Sequence, residues 1–157
     1  MKKALVAYFS ASGVTAGLAR KLAEAIGAEV GEIVPAQVYT PADLDWTNAK
    51  SRSSVEMNDR SCRPAIASSP SPEGCDTVFV GFPVWWYREP SIIDTYMEAH
   101  DFSGKTVVPF ATSGGSGIGN AGANMQALAP GARVAGGKKW NASASAAELA
   151  AWAKEYL

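Results

Sequence analysis

Three hydroxyl side chains and one glycine stand together in the segment Ser10-Ala11-Ser12-Gly13-Val14-Thr15. An apolar run at residues 4–9 precedes this segment and a helical pattern follows it, which predicts a turn from a buried strand into a helix. The first N–H groups of a helix lack partners and carry partial positive charge, so such a turn favours a phosphate. The hydroxyls add donors, and the glycine permits close approach of an anion. The alternative is an ordinary N-capped helix.

A second candidate segment, Pro83-Val84-Trp85-Trp86-Tyr87, contains three consecutive aromatic residues and directly follows a predicted strand at residues 77–82. Three aromatic side chains at the end of a strand cannot all point into a core. We therefore expect at least one of them to be exposed, where it can stack on a flat ring. The alternative is that they pack as a lid on the helix that follows.

A third candidate segment, Thr112-Ser113-Gly114-Gly115-Ser116-Gly117-Ile118-Gly119, is rich in glycine and follows a predicted strand at residues 106–111. Glycines allow backbone N–H and C=O groups to reach the polar edge of a ring system. A phosphate site, an aromatic platform and an open backbone together predict a flat heterocycle that carries a phosphate. Flavin mononucleotide (FMN) fits that description.

Two common nucleotide motifs do not explain these segments. Residues 117–122 match GxGxxG, but the dinucleotide fingerprint needs an acidic residue about twenty positions later. No acidic residue occurs between Asn120 and Ala147. The segment 10–15 lacks the GK[ST] ending of a P-loop. We therefore expect neither a dinucleotide fingerprint nor a P-loop.

The elements that must position the three segments alternate between strands and helices. The patterns predict strands at residues 4–9, 28–34, 77–82, 106–111 and 132–135, and helices up to residue 26, around 47–60, through 92–97, at about 120–128 and from 145 onward. The second strand has a mixed pattern typical of a sheet edge, and the helix around 47–60 is expected to be poorly packed. Alternation predicts a doubly wound α/β parallel sheet in a single domain, residues 1–157. Ligands bind such sheets at the carboxyl ends of the strands, where the three segments lie.

Composition excludes several classes of function. The formal charge of −1 gives no strong pull toward nucleic acid. Cys62, Cys75 and the single histidine, His100, are too few for a zinc site or a Ser-His-Asp hydrolase. No stretch approaches the roughly twenty apolar residues of a membrane span, and the run at residues 4–9 is too short for a signal peptide. We expect a cytoplasmic protein with reduced thiols and no metal.

The chain resembles the flavodoxin family along nearly its whole length. The segment 10–15 resembles the family's FMN phosphate loop, usually S/T-x-T-G-N-T, and the runs Gly81–Trp86 and Phe110–Gly117 resemble a short flavodoxin-like branch common in bacteria. The resemblance implies a three-layer flavodoxin-like fold, with a five-stranded parallel sheet of order 2-1-3-4-5 and helices on both faces. It also implies that non-covalent FMN is held by the three candidate segments.

The chain departs from the family pattern in each segment. Ser12 and Val14 stand where Thr and Asn are usual, which removes one side-chain contact to the phosphate. The family usually has a glycine near Tyr87; since a non-glycine residue resists positive φ, we expect a weaker neutral semiquinone. Residues 112–119 contain no aromatic residue, so one face of the ring is expected to be open. Arg88 and Glu89 are interpreted as a solvated pair at a helix start, with contact to a partner as the alternative.

Two functions remain open at this point. The protein is either an electron carrier that docks on a redox partner protein, or a small FMN-dependent oxidoreductase that passes electrons from NAD(P)H to an acceptor such as a quinone. A net charge near zero is unlike the acidic carriers of the family, while no separate nucleotide site is visible for the oxidoreductase. A flavin-free interaction module is a third alternative. A monomer or a homodimer is compatible with each function.

Overall fold

The computed structural model describes residues 3–112 and 117–157. The strands are β1 (Ala4–Tyr8), β2 (Glu29–Glu32), β3 (Val34–Pro35), β4 (Ile66–Ser68), β5 (Thr77–Pro83), β6 (Thr106–Thr112), β7 (Arg133–Val134) and β8 (Lys138–Trp140). The helices are α1 (Val14–Ile26), α2 (Arg52–Met57), α3 (Ser91–Ala99), α4 (Ala121–Leu128) and α5 (Ala146–Ala153), and a short 3-10 helix (Lys154–Tyr156) follows α5.

The main sheet runs in the order β2-β1-β5-β6-β7, and all of its pairings are parallel. Numbered by position along the chain, these strands give the order 2-1-3-4-5, so the predicted topology is confirmed. Strand β2 lies at the edge, as its mixed pattern predicts. Strands β3 and β4 form a separate antiparallel pair.

The sheet is buried on both faces. Leu5 and Ala7 of β1 pack in the core that holds the buried faces of α3 and α4. Val6 and Tyr8, which alternate with them, pack in the opposite core with α1 and α5. Because both faces are covered, the central strands are apolar runs rather than alternating patterns. Helix α1 ends at Gly27, whose φ of 67° is the left-handed conformation that closes a helix.

The fifth position of the sheet is divided between β7 and β8, where the sequence predicts one strand. Residues 135–137 bulge opposite Val108 and Pro109 of β6, between the two pairings. Pro109 has no N–H to donate to a neighbouring strand, so the ladder is interrupted there. Strand β8 then restores the pairing and brings Trp140 level with Thr112, at the carboxyl edge of the sheet.

The segment between β2 and β5 is more compact than predicted. The helix expected around residues 47–60 is present but only six residues long, and the expectation of poor packing is wrong, because Ser53, Glu56 and Met57 are buried. Ser51 caps α2 by accepting a hydrogen bond from the Ser54 N–H. Helix α2 is held from outside as well, because its backbone carbonyls accept hydrogen bonds from the α3 region.

Candidate functional site

The carboxyl ends of β1, β5 and β6 are joined directly to one another. The hydroxyls of Thr15 and Thr112 share a hydrogen bond of 2.8 Å. The Val84 N–H donates to the Thr112 carbonyl at 3.0 Å. The three predicted segments therefore meet at one edge of the sheet through Thr15, Val84 and Thr112.

Helix α1 begins without a side-chain cap from the described residues. Gly13 precedes it with φ 92°, a left-handed conformation that an L side chain rarely adopts. The first hydrogen bond of the helix runs from the Gly17 N–H to the Gly13 carbonyl. The N–H groups of residues 14–16 therefore lack partners within the helix and carry its positive partial charge.

The three hydroxyls of the segment 10–15 differ in position. Ser12 is exposed, and Ser10 is half-buried and accepts the Gly13 N–H at 3.0 Å. Thr15 is 2% exposed, and its hydroxyl is engaged by Thr112. The sequence predicts three phosphate donors here, and the Thr15 hydroxyl also ties α1 to β6. Ala11 is half-buried and Val14 is 45% exposed, so neither closes the segment to solvent.

A crevice of about 380 Å³ opens beside this helix end. All three predicted segments contribute to its lining, through Ser12 and Val14, Pro83 and Val84, and Thr112. Residues 140–142, which the sequence does not indicate, complete the lining. The indole N–H of Trp140 is buried with no hydrogen-bond partner among the described residues. The sequence does not indicate residues 140–142, because the pattern Lys-Lys-Trp of β8 carries no alternation that predicts a strand.

The aromatic segment forms a tight turn. Trp85 and Arg88 exchange two backbone hydrogen bonds, each 3.1 Å long. Trp86 has φ 50° and Tyr87 has φ 61°, so both central residues are left-handed, as in a type I′ turn. Tyr87 therefore adopts the positive φ that a non-glycine residue resists, and the expectation of a weaker neutral semiquinone stays a prediction. Two aromatic residues in this conformation store backbone strain.

The aromatic side chains divide between the core and the surface. Trp85 packs edge-on against Phe9, with 5.7 Å between the ring centroids, and against Tyr39 at 5.4 Å. Trp86 is 37% exposed and Tyr87 is 73% exposed. The sequence predicts that at least one of the three is exposed, and two are.

The third segment contacts the aromatic turn. The Asn120 N–H donates to the Tyr87 carbonyl at 3.3 Å. Gly119 has φ 64°, and a Cβ at this position would overlap the same carbonyl. Gly117 is exposed, with open space where a Cβ would lie. Ser113, Gly114 and Gly115 lie outside the described residues.

A second crevice, of about 490 Å³, lies between the aromatic turn and the segment that precedes α2. Its lining consists of Leu44, Trp46, Ser53 and residues 84–87. Trp46 is 74% exposed, and the Ser53 hydroxyl is buried with no partner among the described residues. Only Val84 is common to the linings of this crevice and the one beside α1.

Arg88 and Glu89 are buried, at 6% and 0% exposure, so their interpretation as a solvated pair is wrong. The Arg88 guanidinium donates to the Met57 carbonyl at 3.1 Å and lies 3.6 Å from one carboxylate oxygen each of Glu89 and Asp94. The Asn124 amide donates to the other Glu89 oxygen at 3.1 Å. These contacts anchor the aromatic turn to α2, α3 and α4.

Glu89 and Asp94 form a buried carboxyl pair. One oxygen of each has no hydrogen-bond partner among the described residues. Burial, and then the adjacent Glu89 carboxylate, raise the pKa of Asp94 to about 8. A proton shared between the two carboxyls would satisfy both oxygens and remove one of two neighbouring negative charges.

A sequence model of flavodoxins matches residues 3–156 of this chain. The chain belongs to the flavodoxin family. A comparison with curated proteins finds no match.

Solved structures of flavodoxin-like proteins resemble this one closely. A protein of Bacteroides eggerthii, provisionally named a flavoprotein, is 48% identical, covers 99% of this chain and 98% of its own, and superimposes with a TM-score of 0.91. A similarly named protein of Bacteroides uniformis is 49% identical, with 98% of each chain covered and a TM-score of 0.91. A flavoprotein of Lactobacillus acidophilus in complex with FMN shares the fold at 24% identity and a TM-score of 0.68, over 88% of this chain and 93% of its own.

Three further features concern membrane-spanning helices, metal ligands and the cysteines. No helix in residues 3–112 and 117–157 has the length and apolar character needed to cross a bilayer. Among the same residues, no group of His, Cys, Asp and Glu side chains is arranged to hold a metal ion. Cys62 and Cys75 are free thiols.

Proposed function

We propose that this flavodoxin-family protein binds FMN non-covalently and transfers electrons in the cytoplasm. The observation that carries the proposal is the uncapped start of α1, which opens into a crevice at the carboxyl edge of the sheet. An anion at this position would pair the free N–H groups and interact with the helix dipole. Family membership supplies the reason to expect a flavin phosphate there.

The residues present fit FMN in their hydrogen-bond donors and in their aromatic surface. The Trp140 indole N–H is buried without a described partner beside this crevice, so it has an unused donor for a polar group of a ligand. Ser12 is exposed on the same crevice and can donate to a phosphate. Trp86 and Tyr87 present aromatic surface for ring stacking.

The chain's own contribution is binding and orientation. In the proposed complex, residues 10–15 anchor the phosphate and residues 83–87 present the aromatic platform. Thr112, Gly117 and Gly119 border the ring edge, and Ser113, Gly114 and Gly115 belong to the same proposed set. Bound FMN supplies the one- and two-electron chemistry, and the protein tunes its potential by stacking and hydrogen bonding. No catalytic acid or base is assigned.

Titration of the protein with FMN, followed by flavin fluorescence, tests the proposal. We expect one FMN per chain. Gly13→Ala forces an L residue to adopt φ 92° and should lower the affinity for FMN at least about tenfold. Gly17→Ala, in the first turns of the same helix with open space around it, is the matched control and should leave FMN affinity unchanged. A protein that binds no FMN would refute the proposal.

An FMN-dependent oxidoreductase is the second candidate function. It is favoured by the second crevice, which leaves room for another reactant beside the aromatic turn. Oxidation of NADH or NADPH with a quinone acceptor would support it. Absence of turnover with both nucleotides, together with reduction of the flavin by a reductase protein, would favour the carrier. Sedimentation of the FMN-loaded protein would distinguish a monomer from a homodimer.

A further inference from the structure

We infer that the crevice lined by Leu44, Trp46, Ser53 and residues 84–87 is a second binding site, for a neutral planar ring that carries a carbonyl group, such as a quinone. In this crevice, called here the Trp46 crevice, Leu44, Trp46 and Ser53 lie outside the three predicted FMN segments, and residues 84–87 belong to the aromatic one. The inference rests on the proposed function, in which such a ring is the electron acceptor. Reduction of a quinone to a hydroquinone takes two electrons and two protons, which a fully reduced flavin gives up.

The walls of the Trp46 crevice suit a flat aromatic molecule. Trp46 and Trp86 present indole surfaces to solvent, and Leu44 and Val84 are partly buried aliphatic residues on the same lining. A volume of about 490 Å³ falls within the range of small-molecule sites. Aromatic walls gain energy from offset or edge-on contact with a ring.

The Ser53 hydroxyl provides a hydrogen-bonding group on the lining of the Trp46 crevice. The residue is 2% exposed, and its hydroxyl has no hydrogen-bond partner among residues 3–112 and 117–157. Buried hydroxyls are nearly always hydrogen-bonded, so an unused donor on a crevice wall indicates a ligand acceptor. A carbonyl oxygen of a quinone is such an acceptor. A hydrocarbon ring without one would leave the hydroxyl unsatisfied.

The charge of the residues that line the Trp46 crevice indicates which electron donors or acceptors can bind there. None of the residues that line the Trp46 crevice is acidic or basic. A nicotinamide dinucleotide carries two phosphates, which proteins bind with cations or helix N-termini. An uncharged lining therefore favours a neutral ring over a nucleotide.

The wall formed by the aromatic turn is held rigidly before any ligand binds. Trp85 is packed against Phe9 and Tyr39, and the Arg88 side chain is fixed on the Met57 carbonyl. The Tyr87 carbonyl is held by the Asn120 N–H. A preformed wall reduces the entropy that a ligand must lose on binding.

Calorimetric titration of the oxidised, FMN-loaded protein with 1,4-naphthoquinone tests the inference without any turnover. We expect saturable binding that weakens at least about tenfold in Trp46→Ala and about fivefold in Ser53→Ala. 1,4-Naphthoquinone-2-sulfonate, the anionic analogue, should bind more weakly than the neutral ring. The controls are Val38→Ala, which removes an exposed apolar side chain from the same segment, and Ser68→Ala, which removes an exposed hydroxyl.

The FMN affinity of each variant separates this inference from the proposed function. We expect Trp46→Ala and Ser53→Ala to keep the FMN affinity of the unaltered protein. If both variants lose FMN and naphthoquinone in parallel, the Trp46 crevice belongs to the cofactor and the inference is wrong. Unchanged quinone binding in both variants would also overturn it. Failure of the unaltered protein to bind FMN would instead refute the proposed function, and the same titration of the FMN-free chain would still measure the crevice.

Discussion

At the scale of single residues, the glycines of the site act through backbone conformation rather than through flexibility. A Cβ at Gly13 would meet no other atom, because open space surrounds this residue. Its φ of 92° would nevertheless strain any L residue placed there. Gly119 is constrained twice, by φ 64° and by the Tyr87 carbonyl that occupies the place of a Cβ. The contact between Gly119 and Tyr87 is therefore what allows the third segment to pack on the aromatic turn.

Gly119→Ala should destabilise the protein by about 2–3 kcal/mol, since the new methyl group must displace a backbone carbonyl as well as adopt positive φ. For a chain of this size that corresponds to a fall in Tm of roughly 5–10 °C. Differential scanning calorimetry measures it. Gly117→Ala is the matched control, because open space surrounds Gly117. Equal Tm values for the two variants would show that the Tyr87 carbonyl does not constrain Gly119.

Tyr87→Gly should stabilise the FMN-free protein by about 1 kcal/mol and weaken FMN binding. The side chain is 73% exposed, so little buried area is lost, while glycine adopts φ 61° without strain. The same substitution removes an aromatic surface from the proposed platform. Urea unfolding measures the stability of the FMN-free protein, and titration with FMN measures the affinity. Val38→Gly, at an exposed residue with ordinary φ, is the control and should not be stabilised. A less stable Tyr87→Gly protein would contradict the strain argument.

At the scale of elements, a buried charge cluster joins the aromatic turn to three helices. Arg88 contacts the end of α2, Asp94 belongs to α3, and Glu89 is held by Asn124 of α4. Removing one member of such a cluster leaves the others without compensation in a region of low dielectric. The cluster therefore fixes the orientation of the turn that carries Trp86 and Tyr87.

The carboxyl pair in this cluster should make the protein less stable as the pH rises. The pKa of Asp94 is raised from 3.8 to about 8 in the folded protein, so between these values the folded state holds a proton that the unfolded state has lost. Its contribution to the free energy of unfolding is fully present below pH 3.8 and is lost as the pH rises through 8. The slope can reach about 1.4 kcal/mol per pH unit for one proton.

Asp94→Asn isolates this effect, because the amide resembles the protonated carboxyl and cannot titrate. Urea unfolding at pH 5.5 and pH 8.5 should show a large loss of stability in the unaltered protein and a smaller loss in the variant. Asp101→Asn is the control: that carboxyl is exposed and its pKa is lowered by hydrogen bonds from Ser103, so it should not affect this pH interval. Identical pH profiles for Asp94→Asn and the unaltered protein would show that Asp94 is already ionised at pH 5.5.

At the scale of the whole molecule, the alternation of strands and helices and the meeting of the three segments could be predicted from local patterns, whereas the order of the strands was implied by the resemblance to the flavodoxin family. The central strands are apolar runs, and particular residues mark where two of the helices end or begin. Gly27 closes α1, and Ser145 with Glu148 forms a capping box at the start of α5, where the sequence predicts a helix from residue 145. Parallel topology then places the ends of β1, β5 and β6 at one edge.

Features that depend on distant partners could not be predicted in this way. The local sequence predicts that Arg88 and Glu89 are a solvated pair. They are buried in the folded protein, where Met57 and Asp94 supply partners for Arg88. Strand β8 forms by pairing with β6, not because its own sequence favours a strand. Thr40 and Asp43 exchange the two hydrogen bonds of a capping box, which typically starts a helix, yet turns follow them. In each case tertiary contacts override the local pattern.

The linkage between FMN binding and global unfolding gives a test of the phosphate anchor in the intact molecule. A ligand that binds only the folded state at a concentration of 100 times its Kd stabilises that state by about 2.7 kcal/mol. For a chain of this size the expected rise in Tm is roughly 5–10 °C. Riboflavin, which has the same ring but no phosphate, is the control ligand. Because the uncapped start of α1 is proposed to hold the phosphate, riboflavin at the same concentration should raise Tm far less. Equal shifts with FMN and riboflavin would mean that ring contacts alone account for binding, and that the free N–H groups of residues 14–16 do not anchor the cofactor.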